Sequence, residues 1–401
     1  MAHRQRFALG VVALLCAGLC PLVEGQGAGL AGKINEAIDK GVKYLKKYTE
    51  DGDSSMKRPG SWALRGWALL EAGVPGTDST VKKLAAYVRK EVPTMDKVYD
   101  LSIALIFLDK LADPGDELLI ESLAVRLIAG QGNRGGWTYF VDSPHQLEKA
   151  RLTQLVSDMD TLRSQGLALR LRQRTPQEIV RDVTRQYATI AISQPDFGGD
   201  NSNTQFAMIA LWVARRHGVP VTNNLRLVEK RYQVSQLGSG TWSYNFPTNE
   251  ALKDDNRFTY PAMTCAGLLG LALGQGVQAK PRDLRGDPQV RRGLAVIAQA
   301  LTKTPATQKD NFLYFLFSME RAAVVYDLKE IGGTDWYQWG ARQLVDSQTS
   351  DGLWSGGFET EGADTCFALL FLKRANVARD LTDLLLDAPI RKAPLRKGTG
   401  Q

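Results

Sequence analysis

Apolar residues in this chain recur every three to four positions over long stretches, and the alternation expected of half-buried strands is nearly absent. The pattern predicts an all-α protein built from two kinds of helix. One kind carries a single apolar face, as in Val81-Lys-Lys-Leu-Ala-Ala-Tyr-Val-Arg-Lys90 and Val290-Arg-Arg-Gly-Leu-Ala-Val-Ile-Ala298. The other is apolar nearly all round: Ile103-Ala-Leu-Ile-Phe-Leu108, Phe206-Ala-Met-Ile-Ala-Leu-Trp212, Ala266-Gly-Leu-Leu-Gly-Leu-Ala272, Phe312-Leu-Tyr-Phe-Leu-Phe317 and Phe367-Ala-Leu-Leu-Phe-Leu372. A helix with no polar face is buried, whereas one with a single apolar stripe lies on the outside. Pairing each outer helix with the inner helix that follows it gives six hairpins: 33–49 with 61–72, 79–92 with 97–112, 115–130 with 201–217, 222–236 with 261–275, 287–303 with 308–326, and 334–348 with 362–375. Residues 141–193 interrupt the third hairpin, and their expected helices, 145–172 and 176–192, are placed on one mouth of the array, where insertions in repeat folds collect.

One motif, Gln-x-x-x-Gly-x-Trp, stands three times between an outer and an inner helix. The copies are Gln131-Gly-Asn-Arg-Gly135-Gly-Trp137, Gln236-Leu-Gly-Ser-Gly240-Thr-Trp242 and Gln348-Thr-Ser-Asp-Gly352-Leu-Trp354. A degraded copy, Gln194-Pro-Asp-Phe-Gly198-Gly-Asp200, has lost the indole. A motif returning beside similar helices marks a closed or stacked array of one supersecondary unit. Gln ends a helix, Gly makes a turn that favours its conformational freedom, and Trp covers the helix ends.

Composition adds where the chain goes. Basic residues at Arg4 and Arg6, an apolar run from Phe7 to Cys20 and the small residues around Gly25 predict a cleaved secretory signal over 1–25, hence export without an anchor to the periplasm or beyond. The expected mature chain is a repeat domain over 26–388 and a basic, disordered tail over 389–401. The formal charge of +7 is spread over polar helix faces, which excludes a concentrated nucleic-acid site. Cys265 and Cys366 are too few for a disulfide framework and read as small buried hydrophobes.

Six helical hairpins carrying these motifs resemble the α/α toroid of the squalene-hopene cyclase and protein prenyltransferase β-subunit superfamily, and more narrowly its exported bacterial repeat proteins, over residues 30–378. The resemblance implies an (α/α)6 toroid in which the motifs brace helices and the chemistry lies elsewhere. The superfamily's motifs are missing. There is no Asp-x-Asp-Asp for alkene protonation and no Asp-Asp-x-x-Asp for magnesium-bound diphosphate; Asp158-Met-Asp160 and Asp254-Asp255 read as solvated acids. Asp364-Thr-Cys366 matches two of the three zinc ligands implied by prenyltransferases, but His145 and His217 both precede it, so no metal and no cofactor is expected.

Aligned heads of the inner helices bring Asp100, Asn203, Asn311 and Asp364 to one position, followed in several by Thr or Ser. N-capping accounts for such residues. The functional alternative is a polar rim of Asn203, Thr264, Asn311 and Thr365 around a central cavity, with Asp100 and Asp364 as candidate catalytic carboxylates on one mouth. Aromatics at Trp137, Tyr139, Trp242, Tyr244, Trp354, Tyr260, Tyr314 and Phe317 serve either core packing or a ligand. The functional expectation is a ring that binds an apolar or mixed ligand or a protein partner. The enzyme alternatives are isoprenoid chemistry with unfamiliar acids and a carbohydrate-active (α/α)6 glycosidase or lyase, for which Asp100, Asp200, Glu359, Glu361 and Asp364 are the acids to test.

Overall fold

The computed structural model describes residues 29–50, 58–166, 170–171, 173–188, 198–247, 260–303, 311–358, 362–375 and 379–385. The signal segment, the basic tail, Gln194, the Asp254-Asp255 pair, Glu359 and Glu361 lie outside them. The helices are α1 (Leu30–Glu50), α2 (Pro59–Ala72), α3 (Ser79–Glu91), α4 (Val98–Leu111), α5 (Glu117–Ala129), α6 (Gln146–Ser157), α7 (Met159–Ser164) and α8 (Pro176–Tyr187). They continue as α9 (Asn201–Ala214), α10 (Thr222–Ser235), α11 (Pro261–Gly276), α12 (Pro288–Leu301), α13 (Phe312–Val325), α14 (Trp336–Ser347), α15 (Ala363–Leu372) and α16 (Arg379–Leu385). A hairpin of two short strands, Glu330–Ile331 and Thr334–Asp335, precedes α14.

The all-apolar helices pack in a cycle. α2 lies on α4, α4 on α9, α9 on α11, α11 on α13, α13 on α15, and α15 returns to α2. The protein is thus a mostly helical repeat in a closed arrangement, and long-range contacts join its two chain halves. Outer helices do not simply follow the pairing drawn along the sequence: α3 packs on α2 and α5 on α4, each against the inner helix before it, whereas α10 packs on α11, the one after it. An outer helix seats in the groove between inner helices, as α5 does between α4 and α9, so chain order alone does not select its partner.

The centre of the cycle is filled. Phe317 of α13 lies edge-on to Trp67 of α2 with centroids 6.0 Å apart, stacks with Phe206 of α9 at 5.5 Å and meets Phe367 of α15 at 4.9 Å. Inner helices that are not neighbours in the cycle, α13 with α2 and with α9, therefore touch through aromatic side chains.

The repeated motif braces the outer wall. Gln131 Nε2 donates to the Gly135 carbonyl at 3.2 Å and to the Asn224 carbonyl of α10 at 3.1 Å. Gln236 does the same to Gly240 at 3.0 Å and to Gln289 of α12 at 2.9 Å, and Gln348 to Gly352 at 3.1 Å and to Ala37 of α1 at 2.9 Å. Each indole turns back on the helix it follows: Trp137 Nε1 donates to the Leu127 carbonyl at 2.7 Å, Trp242 to Tyr232 at 2.9 Å and Trp354 to Leu344 at 2.8 Å. The motif glycines sit at φ +79°, +87° and +93°, and a side chain on any of them would run into the backbone of the next outer helix. The third copy ties the last hairpin to α1 and so closes the wall.

The insertion lies elsewhere than on a mouth. α8 packs along α5, and α6 packs against α3 and the 3-10 turn Val92–Thr94. Arg174 pairs with Glu121 of α5, and Arg163 pairs with Asp113 at 2.6 Å, beside Arg89, which holds Asp113 at 2.9 Å and Asp116 at 2.7 Å. Covered by these helices, α5 is buried on almost every side, unlike the single-faced outer helix α3. The insertion is a second layer on the outer wall.

At the C-terminal ends of the inner helices, α16 packs on α11 and α13. Asp380 accepts from Trp212 Nε1 at 3.1 Å and pairs with Arg215, while Leu381 is fully buried. Beside it, His217 lies between Asp109 (Nε2 to Oδ1, 3.0 Å) and Glu117 (Nδ1 to Oε1, 2.9 Å). Burial pushes the imidazole pKa down, but hydrogen bonds to Asp109 and Glu117 and their charge outweigh it and hold it at about 9.

Two predictions follow from this packing. Gln348→Leu strands the Ala37 and Gly352 carbonyls and is expected to cost about 2 kcal/mol in chemical denaturation, with faster amide exchange concentrated in α1. Unchanged stability and protection would show that closure does not depend on this brace. For His217 the folded pKa exceeds the unfolded value of 6.5, so its contribution is complete below pH 6.5 and is lost as pH rises through about 9. His217→Phe should therefore be destabilised by on the order of 2 kcal/mol at pH 6, with the gap to wild type narrowing towards pH 10; a gap independent of pH counts against the charged imidazole.

Candidate functional site

The inner helices begin at one level, because side chains from their first turns meet across the ring. Tyr99 Oη donates to Ser202 Oγ at 2.7 Å, Ser202 Oγ lies 3.0 Å from Tyr314 Oη, and Tyr314 Oη donates to Gln205 Oε1 at 2.8 Å. Gln205 Nε2 then donates to Ser318 Oγ at 3.1 Å. A chain of hydroxyl and amide groups thus runs from α4 through α9 to α13 inside a mouth that is otherwise aromatic. Gln205 and Ser318 at its inner end are fully buried, while Ser202 and Tyr314 nearer the opening keep a little exposure.

Loops between the helices frame this mouth. Residue 200 bridges to Trp137 on one side and to Asn245 on the other, and Lys97 bridges to Phe140. The Val98 amide donates to the Tyr139 carbonyl at 3.0 Å, and the Asn201 amide to the Tyr244 carbonyl at 2.7 Å. Arg231, buried under the belt, donates to the Gly198 carbonyl, to the Gly199 carbonyl at 3.2 Å and to Asn201 Oδ1 at 2.9 Å. In the degraded motif the left-handed glycine is Gly199, with φ +63°, one position after the pattern's Gly198, and an arginine and two neighbouring loops stand in place of the indole.

The belt sets aromatic rings in a line. Tyr139 and Tyr244 share a hydroxyl contact of 2.7 Å; Tyr139 meets Tyr99 at 6.3 Å, Tyr99 meets Phe206 at 5.3 Å, Phe206 stacks with Tyr314 at 6.2 Å, and Tyr314 meets Phe358 at 6.2 Å. The line crosses the mouth from one rim to the other. Its ends are open to solvent, Tyr139 being 51% and Phe358 41% exposed, and its floor rests on the fully buried Phe317. Below that level the axis holds Arg321, which lies 3.5 Å from the Phe317 ring centroid and pairs with Glu320 at 2.8 Å.

The two candidate carboxylates occupy first turns of inner helices, and neither caps its own. Asp100 Oδ1 accepts from the Gly60 amide of α2 at 3.1 Å. Burial raises its pKa from 3.8 to about 6; the Gly60 hydrogen bond and Lys97 only partly offset this, and Asp96 adds to it. Asp364 Oδ2 accepts from the Gly356 and Phe358 amides, both at 2.9 Å, and so holds the loop that presents Phe358. Asp200 caps α9 through the Ser202 and Asn203 amides.

The residues proposed for the rim have other surroundings. Asn203 is fully buried and donates to Asp200 at 2.9 Å. Thr365 Oγ1 accepts from the Trp354 amide at 3.1 Å, and Thr204 does the same for Trp137 at 3.1 Å. Thr264, at the matching place beneath Trp242, is fully buried. Thr thus stands at this place in each repeat that carries an intact motif, whereas Leu101 and Phe312 stand there where no motif precedes. Asn311 takes up the left-handed conformation before α13, with φ +67°, and makes no side-chain cap.

The prenyltransferase zinc pair does not fit a metal. Asp364 is engaged by backbone amides, and burial pushes the Cys366 thiol up to about 12, against the thiolate that zinc requires. Among the described residues no group of three His, Cys, Asp or Glu is placed to hold an ion, and no helix is long and apolar enough to cross a membrane.

Tyr99, Ser202, Gln205, Ser318 and Phe358 escaped sequence reasoning. The available signal was polar: Gln205 and Ser318 stand on helices that are buried nearly all round, where a polar group needs a partner.

Asp100 yields a pH prediction. Its folded pKa lies above the unfolded 3.8, so the folded chain holds the extra proton between about pH 4 and 6 and loses stability as pH rises through that window. Asp100→Asn, which can still accept from Gly60, is expected to be more stable than wild type at pH 7 by on the order of 1–2 kcal/mol, the gain vanishing near pH 4. Equal stability at both pH values would show that the carboxylate is not penalised by burial.

Comparison of the sequence with protein-family models and with curated proteins finds no match, so the reading of this site rests on its geometry and chemistry.

Proposed function

We propose that the chain is an exported α/α toroid of six helical hairpins, similar to squalene-cyclase and prenyltransferase repeat proteins, that binds a ligand of mixed apolar and polar character on its aromatic mouth. The observation that carries this reading is the line of rings from Tyr139 to Phe358 across the opening, above an axis occupied by Phe317. A cyclase chamber needs an apolar volume inside the ring to fold a long hydrocarbon. Here the corresponding space holds Phe206, Phe317, Phe367 and Trp67. Exposed aromatics beside hydroxyl groups are instead what a binding surface offers. Export rests on the basic and apolar pattern of residues 1–25.

One observation favours a catalytic reading. Asp100 keeps a carboxyl group near the mouth with a pKa of about 6, as protonation of an alkene or a glycosidic oxygen would require. In that case Asp100→Asn would abolish turnover while leaving binding intact.

The test is purification of the native protein from the exported fraction, with mass spectrometry of what accompanies it. Tyr139→Ala and Phe358→Ala are expected to reduce the bound species about tenfold with melting temperature unchanged. Retention at wild-type levels in both variants would remove the mouth as the binding surface.

A further inference from the structure

We infer that the mouth takes a neutral saccharide, with sugar rings packed on Tyr139 and Phe358, the exposed ends of the aromatic line. The inference rests on the proposed mouth and names its ligand class. A sugar ring has two unlike aspects: a face of C–H groups that packs on an aromatic ring, and an edge of hydroxyls that both donate and accept hydrogen bonds. The mouth offers both in the same order. Its open ends are aromatic faces, Tyr139 and Phe358. Between them lie the linked hydroxyl groups of Tyr99, Ser202 and Tyr314; Tyr99 donates to Ser202 and Tyr314 to Gln205, so the phenolic oxygens keep acceptor capacity for a sugar hydroxyl. Gln205 and Ser318 behind them anchor the chain, so that it presents a prepared polar edge.

The same features disfavour other classes. An isoprenoid chain would lie against hydroxyl groups it cannot satisfy and would find the axis closed by Phe317, which is fully buried. An anionic ligand would meet the carboxyl group of Asp200, whose charge reaches Tyr99, Tyr244 and Tyr314, and find Arg231, beneath the belt, already engaged by Gly198, Gly199 and Asn201. A neutral polyol with an apolar face avoids both penalties.

Isothermal titration of the full mature chain with cellohexaose, laminarihexaose, xylohexaose, mannohexaose and chitohexaose tests this, with farnesol as the apolar comparison. At least one oligosaccharide is expected to bind with Kd between about 10 μM and 1 mM. Its affinity should fall about tenfold in Tyr139→Ala and in Phe358→Ala, fall in Ser202→Ala, and persist in Tyr139→Phe, which keeps the ring. Binding of no oligosaccharide, or binding indifferent to these variants, overturns the inference. Mouth-dependent binding of farnesol alone, or mouth-dependent retention of a co-purifying protein, also overturns it but leaves the mouth as the binding surface. If whatever accompanies the native protein is indifferent to Tyr139→Ala and Phe358→Ala, the mouth reading itself fails.

Discussion

Closure of this ring depends on a small polar device repeated three times: a glutamine side-chain amide that donates simultaneously to its own loop and to a backbone carbonyl of the next outer helix. One such amide, on Gln348, spans almost the whole chain to reach Ala37. Apolar burial alone would hold inner and outer helices together at many rotations and offsets, since it is non-directional. A hydrogen bond to one carbonyl, a left-handed glycine pressed against the neighbouring backbone and an indole returning its N–H to the preceding helix admit one arrangement. The motif supplies direction to an assembly whose cohesion is hydrophobic.

That closure has a consequence for the centre. Once the inner helices are drawn into a cycle, their all-apolar surfaces face an axis that must hold either side chains or a ligand. Phe206, Phe317, Phe367 and Trp67 fill it at mid-depth, and the available surface moves to the mouth. The mouth is built by the motif loops themselves. Trp137 and Trp242 point into the wall while the residues two positions on, Tyr139 and Tyr244, turn outward and join through their hydroxyl groups. The same loop segments brace the fold on one side and present aromatic groups on the other.

The acids divide along similar lines. Asp364 organises the loop before α15, Asp200 caps α9, and Glu121 and Asp116 receive the arginines that fasten the insertion and its neighbours to the wall. Asp100 differs in having one backbone amide to compensate for its burial, and its proton is correspondingly retained towards neutrality.

Much of this architecture was legible along the chain. Periodicity separated inner from outer helices, because a helix without a polar face has only the interior to occupy, and the motif located the turns because only a few residue types make that backbone. The candidate site was legible in part: Asp100 and Asp364 were found by position, and Tyr139, Tyr244 and Tyr314 as aromatics of unresolved role. What tertiary structure decided was the partner of each side chain. Asp100 serves α2 and not its own helix, Thr365 serves Trp354, the insertion clads α5, and Tyr99, Ser202, Gln205 and Phe358 become one surface. Local sequence determines which face of a helix is apolar through a period of 3.6 residues. Which helices stand opposite one another is set by ring closure, and that depends on contacts between residues more than a hundred positions apart.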